Sequence, residues 1–241
     1  PRKTHDDKKR KESLFKDLMV FNGDIGDIQL VEKDSSLLDD MRKHFTEKTE
    51  DGKTFLPFSN FVNKMGFWMA TGSGKTYVMI KLIQILMKLS EKKLIPKNPI
   101  LILTESNFLM GQIRSTINTF NSNSQQKIIW HDLKDDLNTI DTISQRPNEI
   151  NIYMYKSGNI VEQTKQKELG YEEIDNNGNW YVLLDEAHKG SGITEEQKRQ
   201  KFFSIISRNG YLFNFSATLT QPEDIRTTVF NFNLPEFLKK G

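Results

Sequence analysis

The chain has 241 residues, room for one large α/β domain or two small ones. Its 34 basic and 32 acidic residues leave a formal net charge of +2, which excludes a polybasic protein and confines any nucleic-acid contact to a local surface. Cysteine is absent, so disulfide scaffolds, cysteine nucleophiles and thiolate metal sites are excluded, and His5, His44, His131 and His188 form no close pair of metal-ligating spacing. No apolar run approaches the ~18 residues of a membrane span, no signal peptide is visible, and a cytoplasmic protein is expected. The first residue is Pro1 rather than Met, and the last expected element stops at Gly241, so a fragment of a larger protein is expected.

Residues 1–16 hold seven basic and three acidic side chains and read as a solvated, partly helical extension, with a nucleic-acid contact as the alternative. Asp34 or Ser36 can cap a helix running to about Phe45. Residues 51–64 read as a loop with buried aromatics. Gly66–Met69 is a short apolar strand that ends in a Gly-rich turn. A helix follows from Lys75 to about Lys93, with Val78, Leu82, Ile83, Ile85, Leu86 and Leu89 at helical spacing. Pro99–Thr104 does not alternate and reads as a fully buried strand. A helix is expected over Phe108–Phe120, and strands over Lys127–Trp130 and Ile150–Tyr155. Gly170–Gly178 reads as a polar loop. Trp180–Leu184 is a strand running into Asp185, Thr194–Ser207 a helix with Thr194 and Gln197 as capping box, and Gly210–Phe215 the last core strand. Strands alternating with helices predict an α/β domain: a mostly parallel sheet with helices on both faces.

Met69-Ala70-Thr71-Gly72-Ser73-Gly74-Lys75-Thr76, entered by a strand and left by a helix, is the context of a P-loop. Gly72 and Gly74 let successive N–H groups turn inward onto phosphate oxygens, and the helix start adds its dipole. With Thr71 and Ser73 they form the nucleotide-binding loop. Lys75 brings an ammonium to the β/γ-phosphates, and Thr76 a hydroxyl to Mg²⁺. The strict pattern has Gly where this chain has Met69. Asp185-Glu186-Ala187-His188 follows 110 residues later, at the end of a buried strand. Asp185 there can hold Mg²⁺, and Glu186 can act as general base on the attacking water. The chain holds only three alanines, Ala70, Ala187 and Ala217, all inside its motifs, which points to a need for small side chains there.

With Ser216-Ala217-Thr218 after one more strand, these motifs resemble motifs I, II and III of the superfamily-two helicases and translocases. The wording MATGSGKT, DEAHKG and NFSAT is most similar to the type III restriction enzyme Res-subunit family, with type I restriction motor subunits next. The resemblance runs from about Met65 to Thr220. It implies a RecA-like P-loop NTPase domain over 65–241, preceded by an extension over 1–64. It also implies that Ser216 and Thr218 couple nucleotide state to nucleic-acid grip and that His188 bridges motif II to motif III. Thr104, Ser106, Asn107 and Gln112 stand in the place of motif Ia, and Lys156 and Ser157 in that of motif Ib. Both motifs touch the nucleic-acid backbone in the family, and hydroxyls, amides and helix starts suit that role. The family's upstream adenine-reading Gln has no counterpart here, since Gln29 lies far from the P-loop. Phe55, Phe58 and Phe61 either stack on a base or pack under the P-loop strand.

The expected function is thus the motor domain of a DNA-dependent ATPase in a restriction–modification enzyme. It would hydrolyse ATP with Mg²⁺ and move on duplex DNA. The implied partners are a second RecA-like domain carrying arginine fingers, absent from this chain, and a methyltransferase or specificity subunit. The isolated chain is expected to be poorly active. An RNA helicase or remodeller-like motor, and a nucleotide-switched binding module that does not translocate, remain the alternatives.

Overall fold

The computed structural model describes residues 28–29, 55–56, 63–140, 146–161, 168–185, 202–219 and 227–240. The expected helix over 34–45 and the first part of that over 194–207 lie outside these residues, as do Phe58 and Phe61.

The first strands are β1 (Ile28–Gln29) and β2 (Phe55–Leu56), an antiparallel pair. The segment read as a loop over 51–64 therefore contains a strand, too short to show a period. The main domain starts with β3 (Lys64–Met69), then α1 (Lys75–Glu91), β4 (Ile100–Thr104), α2 (Asn107–Asn123) and β5 (Lys127–Asp132). A single turn, α3 (Leu133–Asp136), precedes β6 (Glu149–Lys156). The short β7 (Ile160–Val161) and β8 (Leu169–Gly170) pair parallel with each other. Then come β9 (Tyr181–Asp185), the helical residues 202–206, β10 (Tyr211–Ser216), β11 (Thr228–Phe232) and α4 (Leu234–Lys240).

Seven strands form one sheet in the order β11-β3-β10-β9-β4-β6-β5, and every neighbouring pair is parallel. β4 and β9 are buried at all five positions, which is why Ile100–Thr104 and Tyr181–Asp185 read as continuous runs instead of alternating ones. On one face, Met79, Ile83 and Leu86 of α1 and Met110, Ile113 and Ile117 of α2 pack on Ile102, Met154, Leu183 and Phe215. On the other face Phe202, Phe203, Ile205 and Ile206 cover Leu101, Leu103, Val182, Leu184 and Leu212. The expected mostly parallel α/β sheet with helices on both faces is the observed one.

One expectation is extended and one needs correction. Gly210–Phe215 is the last strand with buried side chains, and β11 adds an exposed edge strand on the outer side of β3. Residues 170–178 are not simply a polar loop. Tyr171 and Ile174 are buried among the core side chains, with Tyr171 stacked on Phe202 at 4.8 Å between centroids. Trp180 Nε1 donates to the Ile174 carbonyl at 2.6 Å, and the Arg208 guanidinium grips both Asp175 oxygens. Polar composition hid a segment fastened to the core by its two apolar residues and one ion pair.

Candidate nucleotide site

A parallel sheet presents the carboxyl ends of all its strands at one edge, and ligands of open α/β sheets bind there. At this edge Met69 leads into the P-loop, and the register sets Thr104, Asp185 and Phe215 at one level, with Lys156 opposite Thr104 and Ser216 opposite Trp68. The motifs quoted from the sequence are thereby gathered from five strands onto one rim.

The loop itself bends as its glycines require. Gly72 has φ +79° and Gly74 φ +90°, a left-handed backbone that side chains with a Cβ rarely adopt. Ser73 N donates to the Ala70 carbonyl at 3.1 Å, closing the turn, and the N–H groups of Tyr77 and Val78 donate to the Gly74 carbonyl. Ala70 is buried, and its N–H donates to the Phe232 carbonyl at 2.9 Å, so β11 props the loop from outside. The burial of the Ala70 side chain suits this position to a small residue.

Lys75 and Asp185 come together: Nζ lies 3.2 Å from Oδ1, with the two side chains 14% and 4% exposed. They belong to β-strand neighbourhoods two strands apart, with β10 between β3 and β9. At ~4.8 Å per strand the gap is about 10 Å, which a lysine at the first position of α1 can span. A residue-long shift in either strand would break the pair.

Two observations test whether the loop suits a phosphate. Gly74 at the N-cap of α1 gives no side-chain capping bond, and no acidic residue lies in the first turn. By contrast α2 is capped by Ser106, whose Oγ accepts from Leu109 N at 3.3 Å. In addition Ser73 Oγ is shut from solvent with no hydrogen-bond partner. A helix start left uncapped beside an unpartnered hydroxyl and a lysine is a set of donors fitted to an anion. Thr76 stands in the first turn of the same helix, and its hydroxyl and the Asp185 carboxylate are oxygen groups of the kind Mg²⁺ takes.

The other expected residues divide. Ser216 is fully buried, and its Oγ accepts from Thr218 N at 2.9 Å, folding the Ser-Ala-Thr turn on itself. Thr104 is fully buried with its hydroxyl donated to the Ser106 carbonyl at 3.2 Å, and Ser157 is fully buried too. Asn107 and Gln112 are exposed on α2, and Lys156 is half-buried at the end of β6. Glu186 and His188 lie outside the described residues. Among the described residues no cluster of three metal-ligating side chains occurs, and no helix is long and apolar enough to cross a membrane.

One positioning residue escapes the motifs. Trp68 Nε1 donates to the Ala217 carbonyl at 3.0 Å, tying the P-loop strand to the Ser-Ala-Thr turn, while Phe67 stacks on Phe215 at 4.4 Å between centroids on the opposite face of the same strand pair. The signal available in the sequence was a Trp one residue before the loop, facing away from the buried Met69.

No curated protein matches the chain. The model of the family described as type III restriction enzyme, res subunit, matches residues 27–221 of the 241, starting well inside the segment read as an extension, and the chain belongs to that family as a helicase-like, ATP-binding motor domain of RecA-like fold.

Proposed function

We propose that the domain hydrolyses ATP with Mg²⁺ to move a restriction enzyme along duplex DNA. The observation that carries the reading is the Lys75–Asp185 pair, which joins the phosphate-binding loop to the carboxylate of the Asp-Glu-Ala-His motif at 3.2 Å. In this reading Thr71, Gly72, Ser73 and Gly74 cradle the phosphates, Lys75 neutralises them, and Thr76 and Asp185 hold the metal. ATP–Mg²⁺, when bound, supplies the phosphoanhydride and a dication that neutralises its charge. Glu186 takes the proton from the attacking water, a role typically worth ~10²–10⁴-fold in rate. His188, Ser216 and Thr218 relay the state of the site to the nucleic-acid surface. The Trp68–Ala217 bond supports that relay, because it gives the P-loop strand a direct hold on the Ser-Ala-Thr turn.

DNA contact is assigned to Asn107 and Gln112, which are exposed on α2, and to Lys156, which is half-buried at the end of β6. The start of α2 adds backbone donors. Family membership supports duplex DNA as the track, a second RecA-like domain closing over Lys75, and a methyltransferase or specificity partner. The test is ATP turnover by the enzyme in its restriction assembly, with duplex DNA, single-stranded DNA or RNA added. Duplex DNA should stimulate most, and Glu186→Gln should retain ATP–Mg²⁺ binding while losing at least a hundredfold in turnover. Stimulation by RNA alone would overturn the DNA assignment, and normal turnover in Glu186→Gln would overturn its role as base.

A further inference from the structure

The loop before α1 is open to solvent. Thr71 and Gly72 are exposed, and a Cβ placed on Gly72 or Gly74 would meet nothing within 4 Å. Tyr77, three positions beyond Gly74, is 66% exposed. It is the one aromatic residue of α1, which turns the aliphatic side chains of Met79, Ile80, Ile83 and Leu86 to the sheet. A helix that buries its aliphatic residues and leaves its aromatic ring in water, one turn from a phosphate-binding loop, gives that ring no structural work in the core.

The helix sets where the ring stands. Gly74 is the N-cap and Lys75 the first residue, so Tyr77 is the third, and its N–H donates to the Gly74 carbonyl at 2.9 Å. Residues of an α-helix follow one another at about 100°, which puts Tyr77 about 200° round the axis from Lys75. Lys75 reaches Asp185 at 3.2 Å. Tyr77 therefore stands on the side of the axis away from Asp185, in line with the exposed Lys81, Ile85 and Lys88. Helical side chains lean toward the N-terminus, and each covers the turn before its own Cα. For Tyr77 that turn is Ser73 and Gly74, the loop itself. Lys75 and Asp185 mark the end of the site suited to the metal and the terminal phosphates, which leaves the Tyr77 side for a nucleoside. Charge there does not oppose a polyanion, since Glu91, the one acid of α1, stands 16 positions from Lys75, about 24 Å at 1.5 Å per residue.

We propose that the ring of Tyr77 stacks on the base of the bound nucleotide, so that the site selects a nucleoside triphosphate over a bare polyphosphate. The inference rests on the nucleotide site proposed above and adds the residue that meets the base. Stacking engages the π-face, which every base has, and leaves the hydrogen-bonding edge unread. The contribution of Tyr77 is therefore the same for adenine and guanine.

The test is calorimetry on the 241-residue chain with ATP, GTP and inorganic tripolyphosphate, each with Mg²⁺. In the unaltered chain ATP and GTP should both bind more tightly than tripolyphosphate, by at least about fivefold. Tyr77→Ala, at an exposed position, should remove that advantage for both nucleotides and leave tripolyphosphate within about twofold. Tyr77→Phe, which keeps the ring, should keep it. A second readout needs no variant: the Tyr77 ring-proton NMR signals should shift with ATP–Mg²⁺ and stay in place with tripolyphosphate–Mg²⁺. Equal affinity of the unaltered chain for ATP and tripolyphosphate would overturn the proposal. So would an equal loss for all three ligands in Tyr77→Ala, which would make the ring a support of the loop, or a loss confined to one base, which would make it a reader of the base edge. These outcomes leave the nucleotide site standing. Binding of neither ATP nor tripolyphosphate to the unaltered chain would remove the site, and the inference with it.

Discussion

Lys75 and Asp185 illustrate how one pair carries both structure and chemistry. The ion pair is largely excluded from water, and breaking a buried pair by removing one partner costs about 3–5 kcal/mol. Two further buried groups make predictions about stability. Asn214 is buried in the middle of β10, between Gly66 and Leu184 in register, with neither its amide nitrogen nor its oxygen hydrogen-bonded. Asn214→Leu, which keeps the branched shape and removes both unpaired polar atoms, should raise stability by about 1–2 kcal/mol, read as a higher midpoint in urea. Tyr211 is the second. Its hydroxyl is buried without a partner, and burial pushes its pKa above the ordinary phenol value of about 10. The neutral phenol is therefore favoured more in the folded state than in the unfolded one. The resulting stability is fully present below pH ~10 and is lost as the pH rises beyond it, because the unfolded chain releases the proton first. Tyr211→Phe should make the alkaline loss of stability shallower. It should not abolish it, since burial also raises the pKa of Tyr155, countered in part by its hydrogen bond with Asn159.

At the scale of elements, the sequence was most readable where a local rule acts alone. The unbroken apolar runs at 100–104 and 181–184 are strands within a residue of their expected bounds, and α1 begins at Lys75 where the Gly-rich turn ends. The P-loop was legible because left-handed glycines and a helix start are local matters. What stayed hidden depends on partners distant in the chain. β11 is an edge strand with three exposed residues, so no burial pattern marks it, yet it carries the carbonyl that props Ala70. β7 and β8 have two residues each and no period to read. The turn before β10 is a further case. A Cβ at Gly210 would lie 1.9 Å from the Trp180 carbonyl oxygen, which itself accepts from Tyr211 N at 3.0 Å. Backbone on both sides prevents relief by a side-chain rotation. Gly210→Ala should cost at least about 2–3 kcal/mol in urea unfolding, more than exposed Gly111→Ala, where a Cβ meets nothing within 4 Å.

At the scale of the whole molecule, the parallel sheet brings distant motifs to one edge. At its carboxyl edge, motifs separated by 110 residues meet because β3 and β9 lie in one sheet with only β10 between them, a gap that Lys75 spans. The motifs predicted which residues belong together. The strand order supplies how they meet, and it is not written in any one of them. The account's central claim is that Lys75, Asp185 and the loop between Thr71 and Thr76 form one nucleotide site. Binding of ATP–Mg²⁺, measured by calorimetry on the chain and on the Lys75→Met/Asp185→Asn variant, tests it most directly. Removing one positive and one negative charge together leaves the net charge of the site unchanged, so the variant should fold. Charge-assisted contacts are worth about 1.5–3 kcal/mol each, and the variant should bind at least tenfold more weakly than the unaltered chain. Equal affinity for ATP–Mg²⁺ in a folded Lys75→Met/Asp185→Asn protein would contradict the account.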